Sequence, residues 1–221
     1  KNTSWTKFYL YPDELSLEKK SKEVNSKLSY NNLGNGTTFM TKSFLEDTEI
    51  TGPIASKLFI SSETEDADLF LIARLFNEQQ QEVTFQGALD PKTPLAQGWL
   101  RASHRRIDNQ LSKPYRPYHT HDKVELLIPE KVYEVDIEIW PTSIVVPKKY
   151  RIGLTIKGQD YVNQLGGGST LPNMNKFSGC GPFLHDDPTD RPNDVFGKKT
   201  TLHFSRDQKP YLLLPIIKNQ N

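Results

Sequence analysis

The sequence predicts an all-β, sandwich-type fold, and three observations carry that expectation. Runs of β-branched and aromatic residues recur through the chain, many of them alternating with polar residues. Clusters of Gly, Pro, Asn and Asp punctuate these runs and supply turns. No heptad, internal repeat or low-complexity tract points to another architecture. A length of 221 residues suits one large sandwich. The whole of 1–221 is therefore read as a single domain, with 1–50 as an irregular lead-in that packs on the sandwich.

In chain order, Trp5 to Leu10 reads as the first strand, and the charged run Glu18 to Glu23 as a solvated connection. Asn35-Gly36 is a hairpin signal, because both residues tolerate positive φ. Strands are expected at Ile54 to Ser61 and Leu69 to Phe76, joined through Glu63-Thr64-Glu65-Asp66-Ala67-Asp68, a segment of turn formers and charge. The run from Leu69 is apolar almost throughout, as in a strand covered on both faces. A strand at Val83 to Ala88 comes next, and then a long irregular tract from Leu89 to Asp122. Between Val132 and Ile139, Val135, Ile137 and Ile139 alternate with Glu134, Asp136 and Glu138, which directs one set to a core and the other to water. Tyr150 to Ile156 completes this group. After a second irregular tract from Gly158 to Lys198, strands are expected at Thr200 to Phe204 and Tyr211 to Ile216. Function is expected in the long loops, where side chains vary without disturbing a packed sheet.

Composition excludes several roles. The 28 Lys and Arg against 27 Asp and Glu give a net charge of +1, too little to steer the chain to nucleic acid or an anionic membrane. No stretch approaches the roughly 18 apolar residues that cross a bilayer, so the chain reads as soluble. The single cysteine, Cys180, precludes an internal disulfide. Lys1 to Trp5 hold neither an initiator Met nor a signal segment, so the chain reads as a piece of a longer protein. The expected compartment is the cytoplasm, with secretion left open because the start of the parent is missing. The two sequons, Asn2-Thr3-Ser4 and Asn35-Gly36-Thr37, matter only in a secreted protein and carry little weight.

A complete catalytic apparatus is not expected. A nucleophile elbow needs small residues two positions either side of the nucleophile. Ser169 has Gly167 behind it but Leu171 ahead, and Cys180 has Ser178 behind it and Pro182 ahead. The five histidines, His104, His119, His121, His185 and His203, do not assemble a triad from sequence alone. His119-Thr120-His121-Asp122, with His185 and its neighbours Asp186 and Asp187, is the most metal-like cluster, though loop histidines bonded to carbonyls give the same pattern. Glu65, Asp66 and Asp68 lack an EF-hand's spacing and read as a polar turn. Gly166-Gly167-Gly168 lacks the Lys-Ser/Thr of a phosphate loop. No cofactor is expected.

A basic and aromatic patch is formed by Trp99, Arg101, His104, Arg105 and Arg106, together with Tyr115, Arg116 and Tyr118. Aromatic and Arg side chains give large contact energies, so the patch is a candidate interdomain or subunit contact; simple anchoring of loops is the plainer alternative.

Five ordered blocks resemble the C-terminal domain of the X-prolyl dipeptidyl-peptidase and cocaine-esterase (CocE/NonD) serine hydrolases. The first is Gly52-Pro53 with Asp66-Ala67-Asp68-Leu69. The second joins Gly98-Trp99-Leu100-Arg101-Ala102-Ser103-His104-Arg105 to Pro114-Tyr115-Arg116-Pro117-Tyr118-His119-Thr120-His121. The third is Glu138-Ile139-Trp140-Pro141-Thr142-Ser143. The fourth runs from Gly181-Pro182-Phe183-Leu184-His185-Asp186-Asp187-Pro188 to Asp190-Arg191-Pro192, and Tyr211-Leu212-Leu213-Leu214-Pro215 closes the set. The resemblance spans nearly the whole chain. It implies a jelly-roll, galactose-binding-domain-like sandwich that follows an α/β-hydrolase domain holding the Ser-Asp-His triad, so no catalytic residue maps here. It also implies packing against that upstream catalytic domain, a part in walling the substrate cleft, and possible homo-oligomer contacts. The Asn/Gly-rich stretch from Tyr30 to Phe44 is shorter than the loop some relatives carry near the acyl pocket. A stand-alone carbohydrate-binding module, with Trp99 and Trp140 as sugar-stacking platforms, is the alternative.

Overall fold

A computed structural model describes residues 2–87, 90–163, 179–181 and 184–218. The strands are β1 (Thr3–Tyr11), β2 (Ser16–Glu18), β3 (Ser26–Asn31), β4 (Thr37–Thr41), β5 (Thr48–Ser62), β6 (Asp68–Phe76), β7 (Glu82–Val83), β8 (Ala96–Arg101), β9 (Tyr133–Val146), β10 (Arg151–Lys157), β11 (Lys199–Phe204) and β12 (Tyr211–Ile217). The helical content of the described residues is one 3₁₀ turn, Ala102–His104, and one four-residue helix, α1 (Asn193–Phe196). Among the described residues no helix is long and apolar enough to cross a membrane.

The strands form one ladder in the order β3-β11-β5-β12-β1-β2-β4-β10-β6-β7, with β9 added to β5 and β8 to β6. Pairing is antiparallel except between β2 and β4. The ladder folds over on itself as a β-sandwich. Phe39 of β4 and Phe204 of β11 stand far apart in strand order, yet their ring centroids lie 6.4 Å apart. Leu58 and Ile60 of β5, Leu69 and Leu71 of β6, Leu154 of β10 and Leu212 of β12 all belong to the same buried cluster. The two halves thus share the core that galactose-binding-like sandwiches have.

The alternation expected on β9 is present. Val135, Ile137 and Ile139 are buried, whereas Lys57 of β5 reaches across the ladder to Glu134 and to Asp136 Oδ2, the latter at 3.1 Å. On β6 the alternation separates two apolar environments. Leu69, Leu71, Ala73 and Leu75 enter the main core, while Phe70 and Ile72 meet Tyr161 and Trp99 on the other side. The run is apolar throughout because both faces are covered.

Four expectations need correction. The first fifty residues supply β1 to β4, and β1 lies inside the ladder between β12 and β2 instead of packing on it as an irregular lead-in. Asn35-Gly36 is a turn without a hairpin, since β3 pairs with β11 and β4 with β10 and β2. Gly36 has φ +69°, and a Cβ there would stand 2.2 Å from the Ile156 carbonyl oxygen, so a connection between the two halves closes on it. The strand expected at Val83 to Ala88 pairs with β6 only at Glu82–Val83, then continues as a single bridge between Phe85 and Thr93. Ala88 lies outside the described residues. Finally, the tract from Leu89 to Asp122 contains β8. Its Gly98 looks like a strand breaker, but a Cβ there would meet the Glu138 carbonyl oxygen at 2.1 Å; the glycine permits close approach to β9. Gly166-Gly167-Gly168 and Ser169 lie outside the described residues.

Candidate functional site

Antiparallel register brings chemistry to the outer face of β6 and β8. Asp68 stands opposite Arg101 and Phe70 opposite Trp99, both pairs pointing away from the main core. The 3₁₀ turn that ends β8 carries His104. The following loop returns to place His119 beside Ile107 through a single bridge, with His121 two residues on. Residues 184–191 cover the same face and bring His185, Asp190 and Arg191. Between these parts lies a cleft of about 340 Å³, lined by Phe70, Trp99, Arg101, the four imidazoles of His104, His119, His121 and His185, and the carboxylates of Asp68 and Asp190.

The floor is held by ion pairs. Arg101 donates from Nε to Asp68 Oδ1 at 2.9 Å and from Nη2 to Asp68 Oδ2 at 3.1 Å. It also grips Asp190, from Nη1 to Oδ1 at 2.9 Å and from Nη2 to Oδ2 at 2.8 Å. That bidentate bond holds the Asp190 pKa below its ordinary value. Arg191, whose side chain is largely covered, donates from Nε to Asp68 Oδ2 at 2.8 Å, reaches the carbonyls of His185 and Gly158, and lies over the Phe70 ring. Asp68 thus joins two guanidinium groups, and the 184–191 loop is fastened to the sheet.

The imidazoles have defined partners. His185 Nδ1 lies 2.9 Å from Asp160 Oδ1, and its backbone N–H donates to Asp160 Oδ2 at 2.7 Å. Its ring stands edge-on to Phe70, at 5.4 Å between centroids. His119 Nε2 lies 3.0 Å from the Asp136 carbonyl oxygen, so this nitrogen carries the proton and donates. Burial lowers the His119 pKa, the Asp136 carbonyl opposes it, and the nearby His121 and His104 reinforce it. His104 and His121 meet through their Nδ1 atoms at 3.3 Å. At the rim, the exposed Trp140 packs edge-to-face on Trp99, 5.1 Å between centroids and 77° between planes.

The residues singled out in the sequence divide between the cleft and its scaffolding. Trp99, Arg101, His104, His119, His121 and His185 line the cleft. Arg105 anchors a loop instead: it donates to the carbonyls of Ala102 and Glu125 and lies over the Tyr133 ring. Tyr115 stacks on Trp5 at 4.2 Å with 8° between planes, pinning its loop to β1. Arg106 pairs with Asp122 at 3.3 Å, and Asp122 also accepts from the Thr120 hydroxyl, which lowers its pKa. Arg116 closes a short turn through backbone bonds with Lys113, and Tyr118 is exposed beside Ser112, whose hydroxyl accepts its backbone N–H. Asp66 accepts the backbone N–H groups of Ala67 and Ser103, each at 2.9 Å, which is the polar-turn role expected of it.

Sequence reasoning missed Asp160 and Asp190 as partners, because a single Asp in a loop has no spacing signal. It also missed the pair Ser61 and His203, with Oγ 2.9 Å from Nε2. Both are buried between β5 and β11, where a substrate has no access. Among the described residues no three His, Cys, Asp or Glu side chains already stand arranged around a metal position.

A family model described as the X-Pro dipeptidyl-peptidase C-terminal non-catalytic domain matches residues 2–211. A protein of Mycobacterium bovis named as a serine esterase is 29% identical over 120 residues, which cover 51% of this chain and 17% of that protein. The crystal structure of a CocE/NonD family hydrolase from Staphylococcus aureus superimposes with a TM-score of 0.83 at 23% identity, over 98% of this chain and 37% of that one. An alpha-amino acid ester hydrolase superimposes with a TM-score of 0.59 at 12% identity, over 96% of this chain and 36% of that one. The chain therefore spans well under half the length of the proteins it matches.

Proposed function

Because the chain belongs to the family of X-Pro dipeptidyl-peptidase C-terminal non-catalytic domains, we propose that it is the accessory domain of a serine hydrolase of the dipeptidyl-peptidase or CocE/NonD esterase and amidase type. It packs on an α/β-hydrolase domain that supplies the nucleophile, and its β6–β8 face forms part of the wall of the substrate cleft. One observation carries the assignment of that face: the cleft gathers Trp99 and the imidazoles, with the exposed Trp140 packed on Trp99 beside it, while the cations around it are taken up in holding loops. What remains is an aromatic rim with imidazole hydrogen-bonding groups, which suits the side chain of an ester or amide substrate.

The test uses the longer protein that contains this chain. Trp140→Ala, a change at an exposed position, is expected to raise KM for an ester substrate several-fold with kcat little changed, because it removes binding without touching the reacting atoms. An unchanged KM together with an unchanged kcat would remove the cleft role. The carbohydrate-binding reading draws on the exposure of Trp140. The perpendicular Trp99 does not extend that ring into a flat platform, and a glycan-array screen without binding would dismiss it.

A further inference from the structure

We propose that the outer face of β4, β10 and β6 carries a second pocket, which binds the carboxylate of a small organic acid with the Lys157 ammonium as its cation. The pocket has a volume of about 580 Å³, within the range of small-molecule sites, and is lined by Thr38, Arg74, Glu82, Thr155, Lys157 and Tyr161. Leu154 and Ile156 of β10 enter the main core, so Thr155 and Lys157 face the other way. Tyr161 packs on Phe70, which lines the histidine cleft, so the two hollows share one side of β6.

Lys157 is only 8% exposed. The turn at Gly36 covers its stem: a Cβ at Gly36 would stand 2.5 Å from the Lys157 Cβ, and Gln159 Nε2 pins that turn by donating to the carbonyls of Leu33 and Gly34 at 3.0 and 3.1 Å. A lysine covered to this extent is ordinarily paired with a carboxylate. Here no hydrogen bond or ion pair from the described residues reaches its ammonium, and the nearby acids are committed elsewhere. Glu82 is held by the Arg74 fork, Nε to Oε1 at 2.8 Å and Nη2 to Oε2 at 2.6 Å. Asp160 accepts the His185 backbone N–H at 2.7 Å and lies 2.9 Å from its ring Nδ1. Burial accordingly lowers the Lys157 pKa, opposed by the more distant Asp160 and reinforced by Arg74. The group lacks an anion, and the pocket in front of it has room for one.

Hydroxyl groups supply the second contact. Arg74 Nη1 donates to Thr155 Oγ1 at 3.2 Å, and Thr155 Oγ1 lies 2.7 Å from Thr38 Oγ1. With Thr155 donating onward to Thr38, the Thr38 proton is left for a ligand oxygen. Thr38 is the cross-strand partner of Thr155, so it is a diagonal neighbour of Lys157 on the same face. A carboxylate between them accepts one charge-assisted bond from Lys157 and one neutral bond from Thr38. Arg74 and Glu82 cancel, which leaves one positive charge to balance a monoanion, while Glu82 disfavours a dianion such as phosphate. The Tyr161 ring faces the body of the acid. This inference does not depend on the hydrolase reading, since it concerns only side chains of this chain.

The test records ¹H–¹⁵N NMR spectra of the chain during titration with acetate and, separately, with inorganic phosphate, at constant ionic strength. Acetate is expected to give saturable shifts centred on the amides of 36–40 and 153–158. Lys157→Met, which keeps the stem and removes the charge, is expected to weaken acetate binding at least tenfold, and Thr38→Val several-fold. Lys20→Met, at an exposed lysine outside the pocket, is expected to change it less than twofold. The dispersion of the same spectra verifies the fold of each variant, and Lys157→Gln serves the same purpose should the Met variant not fold. Absence of saturable shifts at tens of millimolar acetate, or parental affinity in a folded Lys157 variant, would overturn the proposal and leave a hydrated lysine. Phosphate binding more tightly than acetate at the same residues would overturn the carboxylate assignment.

Discussion

Asp68 stands directly opposite Arg101 across the β6–β8 ladder and accepts two of its hydrogen bonds, Nε to Oδ1 at 2.9 Å and Nη2 to Oδ2 at 3.1 Å. Sheet register thus becomes loop attachment, because the same guanidinium carries Asp190 and the same carboxylate carries Arg191. Arg101→Met keeps the length of the side chain and removes the fork. Asp68 retains Arg191, so the loss falls short of that of an isolated buried charge: about 2 kcal/mol in urea unfolding. Hydrogen exchange across 184–191 is expected to accelerate in the same variant.

Gly98 gives a sharper packing test. An added Cβ would meet the Glu138 carbonyl oxygen at 2.1 Å, and that oxygen belongs to a strand paired along its length with β5. Gly98→Ala is expected to destabilise the chain by about 3 kcal/mol, the upper end of overpacking costs. Urea unfolding midpoints check it.

Tyr115→Ala removes the stack on Trp5 while leaving the core untouched. The expected cost is about 1 kcal/mol in global stability. The clearer signal is local: limited proteolysis is expected to cut within 108–118 faster than in the parent chain.

His203 predicts a pH dependence. Burial lowers its pKa, Lys27 adds to the effect and Glu130 opposes it. The unfolded chain therefore takes up this proton at a higher pH than the folded chain. The stabilisation is complete above the unfolded value of about 6.5 and is lost as pH falls below it towards the folded value. His203→Asn is expected to flatten the fall in urea-unfolding free energy between pH 7 and 5, while keeping a polar partner for Ser61. A slope equal to that of the parent chain would show that other groups carry the dependence.

Strands with a strong alternating or continuous apolar pattern were legible from sequence, as β5, β6, β9 and β12 show, because burial alone fixes which side chains face inward. β3 and β8 were not. In β3, Ser26, Lys27 and Ser29 hide a strand whose pairing comes from β11, more than 150 residues away in sequence. In β8, Gly98 marks close contact with a neighbour that local pattern does not reveal. The cleft was legible as residue types, since Trp99, His104, His119, His121 and His185 all stood out. Their convergence was not, because it depends on the β6–β8 register and on two loops folding over one face. Arg101 illustrates the limit: the residue stood out in the sequence, but its hydrogen-bond partners Asp68 and Asp190 follow only from the strand register and the 184–191 loop.

The most direct test of the account is to treat this chain alone with an activated ester and a fluorophosphonate probe. A non-catalytic domain predicts no turnover above buffer and no labelled serine. Turnover abolished by the probe, with a serine of this chain covalently modified, would contradict it.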